Sequence, residues 1–108
     1  MTKPQLKKLL AEVKAELQAL YGAQLVAVIL YGSYARDEAG VNSDVDMIMV
    51  LKDYERDFIE IARTNEFVSR LSLDYDVIVA LLPLREKDWR EKDSVFLYNL
   101  RRDGVVVK

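Results

Sequence analysis

At 108 residues, with 51% hydrophobic and 31% charged side chains, the chain suits one domain over 1–108 and leaves little room for a second. A net charge of −2 lacks the basic footprint of a protein that grips nucleic-acid backbone by itself. With no cysteine and no histidine, disulfides, the usual zinc sites and Ser-His-Asp or Cys-His nucleophiles are excluded; a metal would have to be held by oxygen, which suits Mg²⁺ or Mn²⁺.

Thr2-Lys3-Pro4-Gln5 reads as a helix start, with Thr2 as cap, Gln5 at the capping-box position and Pro4 in the tolerant first turn. Leu6, Leu9, Leu10, Val13, Leu17 and Leu20 recur at helical spacing and predict an amphipathic helix over 3–21, ended by Gly22. This Lys-rich segment has no apolar h-region, and no apolar run reaches the length of a membrane span, so a cytoplasmic protein is expected. Leu25 to Tyr31 is apolar on both faces, as in a strand covered on both sides, and Gly32 ends it. Ser33 can cap a short helix through Arg36, and a polar turn with Gly40 follows.

A second strand is predicted over 44–52, with Asp44 and Asp46 at its entrance. Asp53 is expected to cap a helix over 54–70, whose face is marked by Phe58, Ile61, Ala62, Val68 and Leu71. A third strand is expected over 73–82, with Asp74 and Asp76 near its start and Pro83 closing it. Residues 84–92 are dense in charge and hold the only tryptophan, Trp89, open as a partner contact or as packing on its own domain. Asp93 or Ser94 can cap a last helix through Arg102; Gly104 ends it, and Val105-Val106-Val107 forms a short strand or tail.

The order α-β-α-β-α-β-α predicts an α/β fold, a small mixed β-sheet of three or four strands flanked by helices. The short link between the first two strands favours antiparallel neighbours, and the helix between the second and third favours a parallel crossover. That topology sets Gly32-Ser33 beside Asp44-Val45-Asp46 and brings Asp74 and Asp76 to the same edge. Period two gives each aspartate pair a common face. Three or four carboxylates then converge, and their repulsion is relieved by a divalent cation. A pair of Mg²⁺ ions held so suits in-line phosphoryl or nucleotidyl transfer. Gly32 allows close approach of backbone to phosphate, and Ser33 with the following amides can bind it. The plain alternative makes Asp44 and Asp46 turn-and-cap residues; the glycine ending one buried strand, the Asp-x-Asp opening the next and another Asp opening the third argue against it.

Gly32-Ser33-Tyr34-Ala35-Arg36 with Ser43-Asp44-Val45-Asp46 resembles the Gly-Ser-x10-Asp-x-Asp signature of the DNA polymerase β-like nucleotidyltransferase superfamily. Through the closing Asn99-Leu100-Arg101-Arg102-Asp103-Gly104-Val105-Val106, the chain is similar to its small prokaryotic members, the minimal nucleotidyltransferases (MNT type). The resemblance implies nucleotide contacts from Gly32 and Ser33, and metal-binding, catalytic carboxylates at Asp44 and Asp46. The family's third carboxylate lies on the next strand within a hydrophobic-Asp-hydrophobic pattern. Tyr75-Asp76-Val77 matches it better than Leu73-Asp74-Tyr75, so Asp76 is the expected third ligand and base. Arg36 would pair with phosphate or brace the acidic cluster. The family's usual glycine after that arginine is Asp37 here, expected to face solvent.

The resemblance further implies Mg²⁺ (two ions, or Mn²⁺) and ATP. The implied partner is a HEPN-domain ribonuclease toxin, with this chain as the antitoxin that transfers AMP to a toxin tyrosine. Two alternatives stand beside it: a non-catalytic antitoxin that acts by occlusion, and the nucleotide-binding subunit of a small-molecule, aminoglycoside-like nucleotidyltransferase. No membrane association and no direct nucleic-acid binding are expected.

Overall fold

In the computed structural model, which describes residues 1–108, helix α1 runs Lys3–Tyr21 and its capping box forms as the sequence predicts. Gln5 N–H donates to Thr2 Oγ1 at 3.2 Å, and Thr2 N–H donates to Gln5 Oε1 at 2.8 Å. Gly22, at φ 54°, stops the helix and enters a 3₁₀ turn over Gly22–Gln24. Then come β1 (Leu25–Tyr31), β2 (Val45–Leu51), α2 (Asp57–Tyr75), β3 (Val79–Arg85), α3 (Glu86–Glu91), α4 (Val95–Asp103) and β4 (Val105–Val106).

The sheet has four strands in the order β3-β2-β1-β4. As expected, β1 and β2 are antiparallel and β2 and β3 are parallel; β4 adds an antiparallel edge to β1. Alternation along each strand divides the core between two faces. One face carries Val28, Leu30, Val45, Met47, Met49, Val79 and Leu81 against Leu9, Val13 and Leu17 of α1 and Phe67 and Leu71 of α2. The other face carries Ile29, Ile48 and Val50 against Leu97 and Leu100 of α4. Trp89 packs, half-buried, on this second cluster, so it belongs to its own domain's packing.

Three sequence expectations are corrected. Residues 33–37 form turns, not a helix: Arg36 N–H donates to Gly32 O at 3.3 Å, Glu38 N–H to Ser33 O at 2.9 Å, and Asp37 breaks the run with φ 57°. Asp53 does not cap α2; it accepts from Tyr54 N–H and pairs with Arg85, while α2 begins at Asp57 behind Arg56. Arg85 secures this loop by donating to the carbonyls of Tyr54 and Glu55.

The third correction bears on the site. Helix α2 continues to Tyr75, so Asp74 is helical and Asp76 is the C-cap residue, in the left-handed region at φ 50° and ψ 49°. Neither aspartate stands on a strand. β3 starts at Val79 and runs through Pro83 to Arg85. Pro83 is tolerated because β3 is an edge strand, with hydrogen bonds needed toward β2 only.

Candidate active site

Antiparallel register sets Tyr31 opposite Asp46, so the last residue of β1 and an early residue of β2 share one end of the sheet. Gly32 follows at φ 74°, a conformation that only glycine adopts without strain. The fit is also spatial. A Cβ at position 32 would lie 2.6 Å from Asp46 Oδ2, so the carboxylate occupies the room that glycine leaves.

Asp46 shares its sheet face with Ile48 and Val50, while Val45 and Met47 turn toward α1 and α2. Its side chain makes no hydrogen bond or ion pair with any other side chain. Burial, and next the charge of Asp44, push its carboxyl above the ordinary value of 3.8. Asp44 is exposed and stands just before β2. Two uncompensated, mutually repelling carboxylates beside a glycine cradle are a donor set that fits a hard divalent cation.

Ser33 is half-buried in the turn after Gly32, and its hydroxyl makes no hydrogen bond within the chain. Ser43 is differently employed: its Oγ accepts from Gly40 N–H at 2.8 Å and closes the loop that delivers Asp44. Arg36 donates to Glu38 Oε2 at 3.1 Å. Its charge also reaches Asp103, whose carboxyl is held below the usual range mainly by its hydrogen bond from Arg102. Arg36 pairs with Glu38 and makes no ion pair with Asp44 or Asp46. Asp37 is exposed, and its positive φ explains how an aspartate fills a position suited to glycine.

Asp76 is exposed and lines an open hollow with Asp44, Ser43, Ser72 and Ile78. The structure therefore brings Gly32, Ser33, Asp44 and Asp46 together, with Arg36 in the adjoining turn. It does not gather Asp44, Asp46 and Asp76 into a three-acid group able to hold a metal. Tyr31, the last residue of β1, is a further neighbour of the site. It is half-buried, its phenol is pushed up by burial and next by the Asp46 charge, and its ring meets Phe96 edge-on at 5.8 Å. The register pairing with Asp46 is the signal that finds it.

Comparisons with known proteins bear on the family and the fold. The family model described as "Nucleotidyltransferase domain" matches residues 7–101. A Methanocaldococcus jannaschii protein, named as a candidate protein adenylyltransferase, is 32% identical over 73 residues, covering 68% of this chain and 73% of its own length. A solved Sulfolobus solfataricus structure, described as a candidate nucleotidyltransferase, superposes with a TM-score of 0.67 at 22% identity, covering 94% of this chain and 80% of that one. A structure of a tri-AMPylated Shewanella oneidensis HEPN toxin in complex with MNT antitoxin also matches. Its TM-score is 0.56 at 22% identity, with 94% of this chain and 71% of that one covered. At such identities the two structures speak for the fold.

Proposed function

Because the chain belongs to the nucleotidyltransferase domain family, with minimal nucleotidyltransferases among its relatives, we propose that it is the antitoxin of a HEPN/MNT pair and transfers AMP from ATP to a tyrosine of its HEPN-domain partner. The observation that carries the reading is the Gly32–Asp46 contact, with Asp44 alongside. In the reaction the tyrosine oxygen forms a bond to the α-phosphorus of ATP. The bond from that phosphorus to the bridging oxygen breaks, pyrophosphate leaves, and the phenol proton passes to water.

Asp44 and Asp46 are the residues that hold Mg²⁺, which when bound stabilises charge on the phosphate oxygens. Gly32 presents backbone rather than a side chain to the triphosphate. The Ser33 hydroxyl is free to donate to it. Arg36 is exposed in the same loop, and a contact with phosphate competes with its pairing to Glu38.

The test is intact-mass measurement of the HEPN partner after incubation with this chain, ATP and Mg²⁺. One or more AMP additions are expected. An unmodified partner that is still neutralised favours occlusion, and an unmodified partner beside an adenylylated small hydroxyl compound favours the aminoglycoside-type alternative.

A further inference from the structure

Strand β3 has no acidic residue: it reads Val79-Ala80-Leu81-Leu82-Pro83-Leu84-Arg85. Parallel pairing sets Ala80 beside Asp46. Neighbouring strands lie about 4.8 Å apart, so a side chain at position 80 is the one from β3 that reaches the Asp46 carboxylate on its own face. Ala80 supplies only a methyl group there. Its same-face neighbours, Ile78 and Leu82, are apolar and exposed, and Val79 and Leu81 turn into the opposite core.

Asp76 is not a substitute. Val45 N–H donates to Ile78 O at 2.8 Å, which fixes residue 78 level with the start of β2. Asp76 lines a hollow with Asp44 in which Asp46 takes no part, and the three do not form a metal-holding group. The left-handed backbone of Asp76 ends α2, so its facing is set by the helix cap and not by the sheet.

Resting on the cation reading above, we infer that Ala80 holds the position of a third carboxylate, that β3 contributes no ligand, and that the chain holds one divalent cation through Asp44 and Asp46 alone. The cation's other positions fall to phosphate oxygens and water. The apolar rim of Ile78 and Leu82 then borders the cation, where a third acid would otherwise stand.

The test counts Mn²⁺ bound per bound α,β-methylene-ATP by electron paramagnetic resonance, so that no transfer is needed. Wild type is expected to hold one Mn²⁺ per analogue. Asp46→Asn should weaken it more than tenfold, and Asp76→Asn should change it less than twofold. Ala80→Asp, checked for folding by circular dichroism, should add a second Mn²⁺ or tighten the first at least tenfold. Two Mn²⁺ per analogue in wild type, weakening by Asp76→Asn equal to that by Asp46→Asn, or a folded Ala80→Asp that binds as wild type does, each overturns the inference. If Asp44→Asn and Asp46→Asn both leave Mn²⁺ binding unchanged, the cation reading itself fails, a result distinct from the other three. Asn tolerates the left-handed cap at position 76, so that variant is informative even if Ala80→Asp does not fold.

Discussion

Gly32 and Asp46 fit each other closely: the carboxylate oxygen Oδ2 lies 2.6 Å from where a Cβ on residue 32 would stand, nearer than a Cβ can tolerate. The positive φ of Gly32 makes a second, independent demand for glycine. Gly32→Ala is expected to destabilise the chain by about 1–2 kcal/mol, from backbone strain plus the clash. Urea unfolding checks it. In a double-mutant cycle, Asp46→Ala should relieve the clash but not the strain, so the two changes should couple. Additive effects would show that the carboxylate does not occupy that space.

Asp46→Asn should abolish transfer and yet raise Tm at neutral pH. Burial and Asp44 both oppose charge on Asp46, so ionised Asp46 costs the folded state something that asparagine does not. Its folded pKa lies above the unfolded value. The gain from Asp46→Asn is therefore present above the folded pKa, shrinks as pH falls through it, and vanishes below about 3.8, where both residues are neutral. For a part-exposed group the expected gain is only about 1–3 °C. Paired thermal melts at pH 7 and pH 3.5, without divalent ions, measure it.

Asp76→Gly should stabilise the chain by about 0.5–1 kcal/mol, because a helix cap at φ 50° suits glycine better than any residue with a Cβ. Asp76→Val should destabilise it by a comparable or larger amount. Guanidinium titrations of the two variants separate a cap from a strand residue, since valine on a strand would be favourable.

Glu60 is 7% exposed between α1 and α2; it accepts from Tyr21 Oη at 2.8 Å, and Arg63 stands 3.5 Å away. Burial, and then this hydrogen bond, push the Tyr21 phenol well above its ordinary value. Tyr21→Phe is expected to cost about 1 kcal/mol of stability and leave nucleotide transfer intact, because the pair lies away from Gly32 and Asp46. Equilibrium unfolding with a parallel transfer assay checks both halves.

The elements that sequence reading placed well are those where local chemistry and burial agree. α1 is bounded by a capping box and a glycine, and β1 and β2 are apolar on both faces because helices cover both. The miss lies at Leu73-Asp74-Tyr75-Asp76-Val77, whose alternation imitates a strand. In the structure Leu71 is buried and Tyr75 packs beside it one turn on, while Leu73 is 82% exposed. The four-residue helical spacing of Leu71 and Tyr75 outweighs the apparent period of two. Asp44, Asp46 and Gly32 were legible because an antiparallel link fixes them, whereas Asp76 depended on a strand boundary, which sequence fixes poorly.

The central claim is that the Asp44–Asp46 site transfers AMP to a partner protein. It is tested most directly by incubating the chain and its HEPN-domain partner with ATP labelled at either the α- or the γ-phosphate, in the presence of Mg²⁺. α-Label is expected on a partner tyrosine and γ-label in released pyrophosphate, and both are expected to be lost in Asp44→Asn/Asp46→Asn. Absence of α-label from the partner, or label that persists in the double variant, would contradict it.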